Sequence, residues 1–154
     1  MELIDGEVVV IPPTGGAASL AQTEIVRRIG GWQTDRGAGG RLLTDVFVQV
    51  GDALVAPDVA WWSAGREPRI GWGAIGVVPD LVAEVLSPAT RANDLGPKRG
   101  LYMRGGVREL WLVDPVERSA VIVTASAERR LAADDELSSP LLPGLAIAVA
   151  DLLA

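Results

Sequence analysis

The sequence predicts an α/β (α+β) fold with a mixed central sheet flanked by helices. Three observations predict it. Short apolar stretches rich in Val, Leu and Ile recur between Gly, Pro and Asp turn signals. Helical spacing is clearest in two places, one early and one after residue 90. The resulting order, β-α-β-β-β-α-β-β, sets a run of strands between the two helices. A chain of 154 residues fits one domain with a real core, so residues 1–154 are expected to form a single unit.

Each element has its own warrant. Residues 2–11 read as a strand or hairpin arm around Asp5-Gly6, a turn pair. The loop Pro12-Pro13-Thr14-Gly15-Gly16 follows, and Ser19 offers a helix cap. Leu20, Ala21, Ile25, Val26, Ile29 and Trp32 then keep helical spacing until Gly37-Ala38-Gly39-Gly40. Residues 42–50 alternate and read as one strand. Residues 53–62 form the next, with Pro57 suggesting an edge or a bulge. Residues 63–76 are a Gly- and Arg-rich loop, and residues 77–86 are the third strand of the run. Residues 90–104 carry a short helix, capped by Asp94 with Pro97 in its first turn, and Gly105-Gly106 ends it. Residues 107–113 and 119–125 are strands around an Asp114-Pro115 turn. A weak strand, a Pro-rich loop and a terminal helix at residues 149–153 complete the chain.

Composition removes whole classes of chemistry. With no cysteine there is no disulfide, thiol nucleophile or thiolate zinc site. With no histidine there is no Ser-His triad and no histidine base or ligand. Any catalysis falls to carboxylates, Lys, Tyr, Ser or Thr, with a hard cation as helper. The net charge of −6 argues against a general nucleic-acid coat protein. No apolar run is long enough to span a bilayer, so a soluble, cytoplasmic protein without a membrane partner is expected.

The densest chemical information lies in Val78-Pro79-Asp80-Leu81-Val82-Ala83-Glu84-Val85-Leu86-Ser87-Pro88. Glu84 sits among apolar neighbours, where burial is costly without a partner. Asp80 and Glu84 share a strand face, yet they lie about 13 Å apart. Asp58, on the preceding strand, is the better companion. If it falls opposite Glu84, the two carboxylates can hold Mg²⁺ between them. Lys98 on the next helix would orient or deprotonate an attacking water, and Tyr102 shares its helix face.

These residues carry a family resemblance. Leu3-Ile4-Asp5-Gly6-Glu7-Val8, Pro57-Asp58-Val59, the Pro79–Thr90 string, Asp94, Lys98, Tyr102, Gly106-Val107 and Glu109-x-Trp111-Leu112-Val113-Asp114-Pro115 resemble the Uma-two family of restriction-endonuclease-like proteins. That family belongs to the PD-(D/E)XK nuclease-like superfamily. The resemblance implies a restriction-endonuclease-like core of αβββαβ order. It implies Asp58 and Glu84 as metal ligands for Mg²⁺ or Mn²⁺. The usual superfamily lysine position, two residues after the second acid, holds Leu86 here, so the role passes to Lys98. Glu24 on the first helix matches the place of an additional acid, and Asp80, Glu24 and Tyr102 are expected around the metal-bearing pair. The implied activity is Mg²⁺-dependent hydrolysis of DNA phosphodiester bonds.

The residues alone leave plainer readings open. Glu84 can be a structural acid paired with an arginine, Asp58 an Asx-turn residue, and Lys98 a solvated helix lysine. Trp32, Trp61, Trp62, Trp72 and Trp111 read as core or interface residues. Trp61 and Trp62 point to opposite sides of their strand, and an exposed one would support a homodimer. At the level of function, the alternatives are a binding or assembly module with little nuclease activity, and a hydrolase of another phosphoester.

Overall fold

The computed structural model describes residues 1–153. Strands β1 (Glu2–Ile4) and β2 (Glu7–Val9) form an antiparallel hairpin. Its two turn residues, Asp5 and Gly6, both take positive φ, at 50° and 81°. That is the backbone a two-residue hairpin of matching twist requires. Helix α1 (Gly16–Arg36) buries Ala18, Ala21, Ile25 and Ile29 and stops at Gly37, whose left-handed φ of 59° lets its N–H reach the last carbonyls. The helix starts three residues before the expected Ser19 cap. The Ser19 N–H already bonds the Gly15 carbonyl, and Ala17 and Ala18 favour continuing the helix.

The strands that follow are β3 (Arg41–Thr44), β4 (Val48–Val50), β5 (Ala53–Val55), β6 (Val59–Trp62) and β7 (Leu81–Val85). A helical stretch is built from α2 (Arg91–Asn93), a π-helical turn (Asp94–Lys98) and α3 (Arg99–Gly105). Then come β8 (Glu109–Asp114), β9 (Ser119–Val123), β10 (Glu128–Ala132), β11 (Glu136–Ser138) and β12 (Ala146–Ala148). A 3₁₀ turn, Val149–Leu152, stands where a terminal helix was expected.

The main sheet has the order β10-β9-β8-β7-β6-β3. All its neighbours are antiparallel except β7 and β8, which run parallel. A parallel pair needs a crossover, and the helical stretch from Arg91 to Gly105 supplies it. This is the mixed sheet the sequence predicts. A second sheet, β2-β1-β5-β4, packs beside it, and β11 and β12 form a separate pair.

Alternation along the main sheet divides the core in two. Leu81, Ala83, Val85, Trp61, Trp111 and Val113 pack with the buried face of α1. Val82, Leu86, Ala60, Trp62, Leu110 and Leu112 pack with Leu101 and Tyr102 of α3 and with the small sheet. Trp61 and Trp62 do face opposite ways, but both are buried. The expectation that one would be exposed and support a dimer is therefore corrected: each has its own core to fill. Trp72, in the loop before β7, is the fully exposed tryptophan.

Two further expectations change. Residues 42–50 are not one strand, because the chain turns at Asp45 (φ 52°) and sends β3 and β4 to different sheets. Asp94 is not a helix cap. The N–H groups of Asn93 and Asp94 already bond Thr90, and the Asp94 carboxylate is drawn to Lys98 instead. Pro97 sits inside the π-helical turn, where its missing N–H breaks the regular ladder.

Candidate active site

The register of β6 on β7 pairs Val59 with Ala83. One step further along that antiparallel register brings Asp58 opposite Glu84. The Oδ2 of Asp58 accepts the Val85 N–H at 2.7 Å, so this carboxylate reaches across the strands rather than closing a turn on its own backbone. The Gln22 side chain of α1 donates to the Asp58 carbonyl at 2.9 Å and fixes the chain there.

Glu84 is 2 % exposed, the fourth of five consecutive buried strand residues. Its partner is not an arginine. Lys98 Nζ lies 2.7 Å from Oε1, and the Tyr102 hydroxyl donates to the same oxygen at 2.6 Å. Lys98 is itself buried, and its ammonium also meets Glu2 at 3.0 Å and Asp94 at 3.5 Å. Lys98 is the only lysine in the chain and Tyr102 the only tyrosine; every other basic side chain is arginine. Both single residues converge on one oxygen of Glu84.

Asp58, Glu84 and Lys98 line one cavity, together with Glu2, Asn93 and Asp94. The segment Val10–Gly15 forms another wall. The start of α1 borders it through Gly15 and Ala18, and no side chain caps that helix end. The cavity thus holds four carboxylates and one ammonium, which meets three of them.

The imbalance shows in the proton affinities of Glu84, Asp58 and Asp94. Burial pushes Glu84 up to about 8, with the charges of Asp58 and Asp94 adding to it and Lys98 opposing. Burial also pushes Asp58 up to about 6, against the Val85 N–H. Asp94 is raised by burial too. For Lys98, burial alone would lower the value; Glu84, Asp94 and Glu2 outweigh it and raise it, so the ammonium stays charged. Tyr102 is held well above 10 by burial and by Glu84.

The other expected site residues lie elsewhere. Asp80 does not line the cavity. Its carboxylate accepts the Ser63 N–H and hydroxyl, each at 2.8 Å, pairs with Arg66, and lies 3.7 Å from Arg108. Glu24 turns to Arg27 and Arg28 on its own helix, and their hydrogen bonds pull it down to about 2. Tyr102 touches Glu84 from within the core rather than from the cavity. Sequence reasoning missed Glu2, Asn93 and Asp94 as cavity residues. That Lys98 and Tyr102 are the single lysine and the single tyrosine is a signal readable in the sequence.

Among the described residues, no group of three or more acidic side chains is arranged to hold a metal ion. Asp58 and Glu84 remain a two-carboxylate donor set in a cavity with surplus negative charge. This suits a hard cation such as Mg²⁺, which binds through one or two carboxylates and keeps several waters. No helix among the described residues is long and apolar enough to cross a membrane.

No curated protein matches the chain. Among solved structures it is similar to one described as a "putative nuclease belonging to DUF820 from Anabaena variabilis". The two are 23% identical, with a TM-score of 0.85 over 98% of this chain and 88% of that one. At that identity the likeness shows the fold. The model of the Uma2 family, described as "Putative restriction endonuclease", matches residues 1–150, and the chain therefore belongs to the Uma2 family.

Proposed function

We propose that the chain is a divalent-metal-dependent endonuclease hydrolysing DNA phosphodiester bonds. Asp58 and Glu84 hold Mg²⁺ or Mn²⁺, and Lys98 positions the attacking water. The observation that carries this reading is the meeting of Asp58, Glu84 and Lys98 in one cavity whose carboxylates outnumber its cations. Membership of a family described as restriction endonuclease, and the nuclease-like fold, support it.

When bound, the ion supplies a Lewis acid and a water of lowered pKa. The protein's own groups do the rest. Lys98 remains charged, so it acts as a donor to a water or to a phosphate oxygen rather than as a base. Tyr102 holds Glu84 by Oε1, the oxygen that Lys98 also meets. The uncapped first turn of α1 offers free N–H groups to a phosphate oxygen. DNA as partner, a cytoplasmic setting and a homodimer of the 1–154 domain belong to the same reading.

Calorimetric Mn²⁺ titration together with cleavage of duplex, single-stranded and branched DNA tests it. Glu84→Ala and Asp58→Ala are expected to lose both binding and cleavage. Lys98→Ala is expected to keep Mn²⁺ and lose cleavage. Unchanged Mn²⁺ binding in both acid variants would defeat the assignment. Mn²⁺ binding with no cleavage of any DNA form turns the reading toward another phosphoester. A stable dimer in scattering with neither binding nor cleavage turns it toward an assembly module.

A further inference from the structure

We propose that Glu2 is a positioning residue of the site, setting the direction in which Lys98 presents its ammonium. The proposal rests on the reading of Lys98 as the water-positioning group. Its geometry stands independently of that reading.

Glu2 is 2 % exposed, and a carboxylate so buried is costly unless its oxygens are used. They are. Oε1 lies 3.0 Å from Lys98 Nζ and accepts the Ala56 N–H at 2.8 Å. Oε2 stands 3.5 Å from Asn93 Nδ2. One side chain thereby joins three segments: the N-terminal hairpin, the run that leads to Asp58, and the helical stretch that carries Lys98. The hairpin is itself tied to β5 by the Leu3–Leu54 pairing, so Glu2 is held from its backbone as well.

An ammonium has three N–H donors. Two carboxylates lie close to Nζ, Glu84 at 2.7 Å and Glu2 at 3.0 Å, and Asp94 stands farther off at 3.5 Å, so the third donor is the one left to turn to the cavity. Asp94 belongs to the same helical turn as Lys98 and moves with it. Glu84 belongs to the main sheet and Glu2 to the small one. The two contacts together tie Nζ to both sheets. Without the charge of Glu2, Lys98 keeps only Glu84 and its own helical neighbour, and the ammonium settles on Glu84. A neutral side chain would suffice to fasten the hairpin; only a carboxylate aims the ammonium.

Lys98 is the only lysine, so ¹⁵N-lysine labelling of the full chain gives a single side-chain Nζ resonance. In Glu2→Gln, that resonance is expected to move and its hydrogens to exchange with water about tenfold faster. In Mg²⁺-dependent DNA cleavage, kcat is expected to fall about tenfold or more at unchanged KM, the scale of a misplaced group. Mn²⁺ affinity is expected to hold. Glu7→Gln, on the exposed side of the same hairpin, should leave all four readouts unchanged. Glu2→Asp, which keeps the charge on a shorter arm, should recover part of kcat.

An unmoved Nζ resonance in Glu2→Gln overturns the proposal. So does a loss of cleavage that merely tracks the folded fraction. If Glu2→Gln does not fold, Asn93→Ser replaces it, since Asn93 aligns the second oxygen of Glu2, and the same resonance decides. If the wild-type protein cleaves no DNA, the nuclease reading fails while the Nζ measurement still decides the positioning.

Discussion

Asp80 and Glu84 lie four residues apart on one segment of chain, and both are buried. Their surroundings are opposite. Asp80 is oversupplied: a backbone N–H, a hydroxyl and two guanidinium groups meet one carboxylate. Burial would raise it, but these partners win and hold it below its ordinary value. Glu84 is undersupplied, because its one cation is shared with Glu2 and Asp94. Burial wins there and raises it. Burial alone therefore does not mark a reactive carboxylate. The ratio of partners to charge does. A saturated acid is scaffold, and an acid short of partners is open to a proton, a cation or a substrate.

The strongest way to break this contrast is to exchange the two consequences. Glu84→Gln is expected to reduce DNA cleavage by about a thousandfold or more, as loss of a group central to the site does. Its thermal stability should stay within about 1 kcal/mol of wild type. If Glu84→Gln keeps full cleavage, the carboxylate is not part of the chemistry.

Asp80→Ala should do the reverse. It strands the Ser63 donors and removes the carboxylate that Arg66 pairs with, a loss of about 3 kcal/mol by denaturant unfolding. Mn²⁺ binding per folded molecule should not change. An Asp80 variant that folds normally but binds no Mn²⁺ would join the two acids in one site.

Acid titration of stability sharpens the same point. Asp80 is depressed in the folded chain, so its contribution is complete above its ordinary value near 3.8. It is lost as pH falls through the lower folded value. Unfolding midpoints measured between pH 5 and 2 should therefore drop in the wild type and drop less in Asp80→Asn. A parallel pair of curves would show that the arginines do not hold this acid.

The smallest effect belongs to Glu24. Its partners are surface arginines, Arg27 being largely exposed, and solvent screens the pair. Glu24→Gln should cost about 0.5 kcal/mol or less and leave Mn²⁺ affinity unchanged. A clear loss of Mn²⁺ binding would return Glu24 to the site.

Much of this was legible in the chain. A glutamate among Ala83, Val85 and Leu86 declares its own burial, and strand alternation separates it from Asp80. The two-carboxylate pairing across β6 and β7 follows from antiparallel register once both strands are recognised. Lys98 and Tyr102 share a face because they are four residues apart on one helical stretch. Glu2 was not legible. Its contacts lie 54 residues away at Ala56 and 91 away at Asn93, and they depend on how the hairpin docks on β5. Asp94 was misread because Asp beside a helix start is an ordinary cap, and only the fold shows that Lys98 claims it. The break at Asp45 was hidden because Val46, Val48 and Val50 continue past it the face that Leu42 and Thr44 begin.

The π-helical turn has a consequence for how the site would fail. Glu84 lies on a strand with neighbours on both sides, where local opening is expected to be least favourable. Lys98 ends a turn wound one residue too loosely and interrupted by Pro97. One half of the site sits on a central strand, where hydrogen exchange is expected to be slowest, and the other at the end of an irregular turn, which is expected to open more easily. On warming, the ammonium should leave before the carboxylate does. The protein would then pass through a state that is still folded, still acidic at its centre and no longer able to aim a water.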